Sequence, residues 1–166
     1  MRCVEKQHDM QKIFFILALV VAAISCNAVL KSNWPSTAPD DLQITYSREG
    51  GYAPRFEKCV FTEEKCSYSY EFGKTRYAFD FVLPESELRL LYEALRRSGF
   101  EHIKEDDKTI YDPIYERIVV DVDGKQISKT DNGGIDLGSA RSWESSLSPI
   151  KNIIEREKKK RNITTY

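Results

Sequence analysis

Two stretches of alternating aromatic residues, joined by the dipeptide Gly73-Lys74, place the tightest constraint on how this chain can fold. The side chains that share one side of these stretches are Cys66, Tyr68, Tyr70 and Phe72, then Tyr77, Phe79, Phe81 and Leu83. A period of two residues predicts β-strands, and a two-residue turn between them predicts antiparallel pairing. Matching aromatic faces on both strands indicate a sheet that buries one side.

Two further strands are predicted upstream of this pair. Residues 42–47 alternate in polarity and end before Gly50-Gly51, where glycine permits the positive φ angles of a turn. Residues 56–61 form the second predicted strand, and residues 62–65 connect it to the aromatic pair. The first half of the chain therefore predicts an antiparallel meander.

The segment after Pro84 has the pattern of an amphipathic helix. Its apolar residues recur at the spacing of one helix face and are Leu88, Leu91, Tyr92 and Leu95. Arg96 and Arg97 suit the C-terminal end, and Gly99 suits a left-handed stop that is followed by an apolar residue.

The second half of the chain predicts a hairpin and a last helix. Asp123-Gly124 is a strong two-residue turn signal that pairs Val120 with Ile127. Residues 143–161 predict a C-terminal helix, which Pro149 should restrict to the part after Ser148. The predicted fold class is α+β, with a mostly antiparallel β-meander sheet packed by one amphipathic helix and followed by a C-terminal helix.

The N-terminal residues predict a bacterial lipoprotein signal. Ile13 to Ile24 are uninterrupted apolar residues, fewer than the roughly 20 that a membrane-spanning helix needs, and Cys26 follows small Ser25. We expect residues 1–25 to be a signal peptide, residues 26–40 to be a lipidated Cys26 with a flexible tether, and residues 41–166 to be a single domain. Several acyl chains, palmitate among them, would anchor Cys26 firmly to a membrane.

Two other interpretations of this segment remain open. Ala23-Ile24-Ser25 also satisfies the small-x-small rule for ordinary signal peptide cleavage, which would leave Cys26 unmodified. An uncleaved short anchor is the second alternative.

The composition of the remaining chain excludes some functions. Of 25 basic and 26 acidic residues, three and two lie in the signal, which leaves a net charge near −2. That balance does not predict nucleic-acid binding. His8 lies within the signal, so only His102 remains after the signal is removed. Catalysis that depends on histidine is therefore not expected. No cofactor is expected.

Cys59 and Cys66 form an even pair in what would be an oxidising compartment, where a disulfide is the expected state. Pairing Phe61 with Glu64 across the turn would place the two cysteines directly opposite each other. The alternative is two small, buried thiols that pack as apolar side chains.

No catalytic or metal site stands out. Asp121-Val-Asp123-Gly124 lacks the calcium-loop pattern, and residues 131–136 resemble a solvated turn. His102 is expected at the surface, and the basic run 158–161 is expected to be a solvated helix end or a weak contact with anionic lipid headgroups.

Four aromatic residues are candidates for a binding surface. Tyr68, Tyr70, Tyr77 and Phe79 would form either the core beneath the helix or, in part, an open patch for a partner.

Two resemblances complete the sequence interpretation. Ala23-Ile24-Ser25-Cys26, the tether, the cysteine pair and the Leu-rich helix resemble small lipoproteins of Bacteroidetes-type bacteria. Gly50-Gly51-Tyr52-Ala53, Leu88 to Leu95 and Tyr115 to Ile127 resemble the emfourin family of metallopeptidase inhibitors. The cysteine hairpin at residues 57–72 departs from that family, so no inhibitory residue is carried over.

The sequence therefore predicts a lipid-anchored protein of the cell envelope, on the inner or outer membrane, facing the periplasm or the cell surface. Its domain is expected to bind a protein partner without catalysis, and protease inhibition is one form that the resemblance implies. The alternatives are a hydrolase of cell-wall or glycan material that uses unrecognised carboxylates, and a structural subunit of an envelope complex.

Overall fold

A computed structural model describes residues 34–53, 55–106 and 111–165. The elements are β1 Gln43–Gly50, β2 Arg55–Phe61, β3 Cys66–Phe72, β4 Thr75–Phe81, α1 Glu85–Ser98, a 3₁₀ turn Phe100–His102, β5 Ile114–Val122, β6 Lys125–Asp131 and α2 Ala140–Lys160. The α+β fold class predicted from the sequence is confirmed, and the predicted bounds lie close to the observed ones except at the start of α2.

The sheet has the strand order β4-β3-β2-β1-β5-β6, and all neighbouring strands are antiparallel. The first four strands form the predicted meander, while the β5–β6 hairpin adds to the free side of β1. The predicted pairing of Val120 with Ile127 is confirmed. Strand β1 is thus central, and its inward side chains Ile44 and Tyr46 are almost completely buried.

The turn after β1 requires glycine because the start of β5 approaches it closely. Gly50 has φ 101°, and a Cβ added there would lie 2.4 Å from the carbonyl oxygen of Pro113. The amide of Gly51 donates to that same oxygen at 3.2 Å. The Gly-Gly pair therefore allows β1 to meet both β2 and β5 at this end of the sheet.

Both helices contribute to one core on one face of the sheet. The stripe predicted for α1 (Leu88, Leu91, Tyr92 and Leu95) is buried against inward residues of the strands, and α1 ends at Gly99 in the left-handed conformation. Ser98 at the end of α1 forms a hydrogen bond with Ser146 of α2 at 2.7 Å. The arrangement is a two-layer sandwich in which helices cover one side of the sheet.

The prediction that Pro149 restricts the last helix was wrong. Helix α2 begins at Ala140 and continues through Pro149, which lies inside it. An internal proline removes one backbone hydrogen bond and costs about 3 kcal/mol. Trp143, Leu147 and Ile150 are buried on both sides of the proline, and burial of each such side chain contributes roughly 1.5–3 kcal/mol, which offsets that cost.

The prediction of a flexible tether up to residue 40 was also wrong for the described part of that segment. Trp34 is only 6% exposed and stacks on Tyr92 of α1 with ring centroids 5.5 Å apart. The Tyr92 hydroxyl donates to the Pro35 carbonyl at 2.8 Å, and Ala38 packs against the core. Residues 34–40 belong to the domain, whereas residues 26–33 and the signal segment lie outside the described residues.

Replacing Trp34 with alanine should destabilise the domain by about 3 kcal/mol, because a large buried aromatic side chain is removed. Urea denaturation followed by circular dichroism measures this change. Tyr52→Ala is the matched control, since Tyr52 is 97% exposed. Equal stability of the two variants would contradict the packing of this segment on α1.

Candidate functional site

The four aromatic residues proposed as a binding surface lie in the core layer instead. Tyr68 and Tyr70 are 2% and 3% exposed, and Tyr77 and Phe79 are partly buried against the core. Helix α2 supplies part of the cover, because the Arg161 guanidinium lies 4.2 Å above the Phe79 ring. Tyr68 and Tyr70 therefore belong to the core beneath a helix, which was one of the two alternatives, whereas Tyr77 and Phe79 are only partly covered.

The two described cysteines are free, buried thiols. Cys59 pairs with Tyr68 across β2 and β3, so the register is displaced by two residues from the predicted one and the cysteines are not directly opposite. Burial and the neighbouring Cys66 raise the pKa of the Cys59 thiol, and burial also raises the pKa of Cys66. Protonated, inaccessible thiols are poor nucleophiles.

The oxygen-rich loops are turns that bind their own backbone. The Asp131 carboxylate accepts hydrogen bonds from the amides of Gly133 and Gly134 at 2.7 and 3.0 Å. His102 contacts Glu101 at 3.0 Å and is partly exposed. Within the described ranges, no group of three or more His, Cys, Asp or Glu side chains is arranged to hold a metal ion.

A cleft of about 290 Å³ lies between the sheet and the second half of α2. Its lining residues are Tyr46, Arg48, Arg55, Glu57, Tyr70, Lys151, Ile154, Glu155, Lys158 and Thr165. The strand register explains the position of the cleft. Arg48 lies directly opposite Glu57 on one neighbouring strand and opposite Glu116 on the other. Inward-facing charges replace apolar residues at this end of the sheet, so α2 does not pack tightly here.

The carboxylates at the cleft are held by neighbouring donors. Glu57 is 8% exposed and accepts a hydrogen bond of 2.7 Å from the Tyr68 hydroxyl. Glu116 accepts from the Tyr46 hydroxyl at 2.7 Å and pairs with Lys151 at 2.9 Å. These contacts keep the acids in fixed positions.

The tyrosine hydroxyls beside the cleft remain donors. Burial, reinforced by the Glu116 carboxylate, raises the pKa of Tyr46 far above its ordinary value. Burial and the hydrogen bond to Glu57 do the same for Tyr68. Neither hydroxyl is therefore suited to act as a base near neutral pH.

The basic run at the end of α2 is only partly solvated, because Lys159 and Lys160 are exposed, as expected, whereas Lys158 and Arg161 pack on the domain. Lys158 is 4% exposed and donates to Glu155 and to Thr165, each at 2.5 Å. Arg161 also donates to the Asp80 carbonyl on the outer edge of β4 at 3.3 Å. The sequence signal that was missed is the pair Lys151 and Lys158, which lie seven residues apart on α2 and line the cleft beside inward charges of the sheet.

Glu157 organises this end of the helix. It is 3% exposed and accepts hydrogen bonds from Lys160 at 2.7 Å, Arg161 at 2.9 Å and Arg156 at 3.3 Å. Burial alone would raise the pKa of this carboxyl, but the three cationic donors outweigh it and lower the pKa below its ordinary value. The ionised form is thus favoured in the folded protein.

A second surface is the side of the sheet opposite the helices, which we call the open face. Its residues include Thr45, Ser47, Glu49, Phe56, Lys58, Val60, Ser67, Ser69, Tyr115, Arg117 and Val119. Most are half-exposed, and Phe56 and Tyr115 are 39% and 43% exposed. Both aromatic residues flank Glu49 by register, so they form one exposed cluster at the end of the face.

Neither the known protein families nor the curated proteins give a relative from which a function could be inferred. No protein-family model matches the chain, and a search of curated proteins finds no match. In the part of the chain that the structure describes, no helix is both long enough and apolar enough to cross a membrane.

Replacing Glu157 with glutamine should lower the free energy of unfolding by about 2 kcal/mol at pH 7, because three charged donors lose an ionised acceptor. A carboxyl with a depressed folded-state pKa stabilises the protein above its unfolded pKa, about 4.3 for Glu, and that stabilisation disappears as pH falls through the folded pKa. The deficit should therefore shrink below about pH 4. Urea titrations from pH 3 to 7 measure it.

The matched control is Glu144→Gln, an exposed position on the same helix. A deficit for Glu157→Gln that stays constant with pH, or that equals the control, would contradict this role of Glu157.

Proposed function

We propose that this chain is a lipid-anchored protein of the cell envelope whose folded domain binds a protein partner without catalysis. Attachment would be through Cys26, after removal of residues 1–25, with the domain facing the periplasm or the cell surface. The apolar run before Cys26 supports this, and Cys26 itself lies outside the described residues. Inhibition of a metallopeptidase is one form that such binding would take.

The open face is the observation that carries the binding proposal. Both helices bury the opposite side of the sheet, so this face has no cover among the described residues. Phe56 and Tyr115 expose aromatic surface at one end of it. Aromatic residues are enriched where proteins bind one another, and a sheet face of half-exposed side chains is broad enough for a folded partner.

The chemistry of this face favours a protein as the occupant. Lys58 and Arg117 lie among hydroxyl residues, while Glu49 lies between the two aromatic side chains. Charges of both signs around an apolar cluster are typical of a protein interface, which has a polar rim around a more apolar centre. A nucleic acid would require an excess of positive charge, and the net charge of the chain is −1.

Photo-crosslinking in cells tests the open face. A photoreactive phenylalanine analogue at position 115 or 56 should give a discrete adduct with one protein. The matched control is position 90, an apolar residue of α1 that is 59% exposed on the helix side. Phe56→Ala with Tyr115→Ala should weaken recovery of the same partner at least tenfold and leave the thermal midpoint within a few degrees, whereas Leu90→Ala should not.

Adducts of the same kind and yield at position 90 would contradict a role for the open face. A role for the open face would also be contradicted if the Phe56 and Tyr115 variants lose the partner only when they also unfold.

Replacing Cys26 with alanine tests the membrane attachment. Without the thiol no acyl chain can be added, so the protein should move from the membrane fraction to the released fraction. Mass spectrometry of the wild-type N-terminal peptide should show the acyl mass on Cys26. Unchanged fractionation of the variant, together with an unmodified wild-type peptide, would contradict the lipoprotein assignment.

A hydrolase of cell-wall or glycan material is the second candidate, and the cleft is the observation that favours it. Glu57 and Glu155 both line that cleft, and paired carboxylates are the groups that glycoside hydrolysis uses. Hydrolysis of glycans by the purified protein, abolished in Glu57→Gln and in Glu155→Gln, would replace the non-catalytic proposal. A stoichiometric complex without turnover favours the binding module or a structural subunit.

A further inference from the structure

The cleft under α2 contains more positive than negative charge. Arg48, Arg55, Lys151 and Lys158 line it, against Glu57 and Glu155. Lys151 and Lys158 are paired with Glu116 and Glu155. Neither arginine forms a salt bridge within residues 34–53, 55–106 and 111–165. Neither guanidinium group in this concave site therefore forms an ion pair with a carboxylate of the described chain, although Arg48 lies next to Glu57 and Glu116 in the strand register.

Both arginines lie at the wall of the cleft, beside an aromatic ring or among charged residues. The Arg55 guanidinium lies over the Phe72 ring, 5.4 Å from its centroid. Arg48 lies between Glu57 and Glu116 in the register and acts electrostatically on Tyr46. Their positions on β1 and β2, two paired strands, place both on the same side of the sheet below Lys158.

We propose that this cleft binds a small oxyanion, that is, a phosphate or carboxylate group carried by a solute-sized molecule. A planar guanidinium presents a fork of N–H donors that matches the two oxygens of either group. Lys158 adds a point charge from above: two of its three ammonium hydrogens are donated to Glu155 and Thr165, and the third is left for a ligand.

The size of the cleft decides between small and large ligands. Its volume of about 290 Å³ lies just below the usual range for small-molecule pockets, roughly 300–1,000 Å³. It is adequate for one anionic group with a short substituent, and too small for a folded partner or a long glycan. This site is separate from the open face, so the inference does not depend on the proposed protein partner.

Calorimetric titration of the full-length protein in detergent tests the site, with sodium phosphate and sodium succinate as probes and sodium chloride at equal ionic strength as the reference. We expect one saturable site for at least one probe. Arg48→Gln combined with Arg55→Gln should weaken binding at least tenfold. The matched control, Arg117→Gln, removes an exposed arginine of the open face that bonds Ser128 and should change affinity less than twofold.

The two probes distinguish the sources of the anion. Tighter binding of phosphate indicates a phosphorylated ligand, and tighter binding of succinate indicates a carboxylated one. Arg48→Lys keeps the charge but loses the fork, so its affinity should lie between those of the wild type and Arg48→Gln. If the double variant fails to fold, Arg48→Lys still tests whether the guanidinium group contributes to binding.

Binding of both probes no stronger than the chloride reference would overturn the proposal. Equal affinity of the wild type and the Arg48 and Arg55 variants would overturn it as well, because the guanidinium groups would then have no part in binding.

Discussion

The sheet is buried on one face only, and the rest of this structure depends on that asymmetry. Inward side chains of the strands meet α1 and α2 in a single core, while the alternate residues point to an uncovered face. Because side chains alternate strictly along a strand, every inward position must suit a core and every outward one must suit solvent or a partner. The open face and the cleft are both consequences of this arrangement.

Charged side chains that face the helices need hydrogen-bond or ion-pair partners, whereas apolar core side chains do not. At the Gly50 end of the sheet, Glu57 and Glu116 lie under α2 and receive hydrogen bonds from Tyr68 and Tyr46. A buried charge without a partner is costly, and α2 places Lys151 against Glu116 and Lys158 against its own Glu155 where an apolar core would have apolar side chains. The result is a layer of ion pairs around a polar cleft, at one end of an otherwise apolar core.

Much of the fold could be predicted from short sequence windows. The stripe from Leu88 to Leu95 and the stop at Gly99 gave α1, and Asp123-Gly124 gave the β5–β6 register. The β2–β3 register was missed, because a longer connection does not fix the pairing as a two-residue turn does. The packing of Trp34 on Tyr92 was also missed, since no periodicity marks an aromatic residue that packs on a side chain 58 positions away.

The sequence by itself determined which segments are strands and helices, because hydrophobic period and turn residues act over a few neighbouring positions. Only the tertiary structure decided that Tyr68 and Tyr70 are core, that α2 continues through Pro149, and that Arg48 and Arg55 meet Lys158 across a cleft. Those outcomes depend on how the helices pack on the sheet. Segments far apart in the chain meet there, and the burial and charge pairing between them leave no trace in a local sequence pattern.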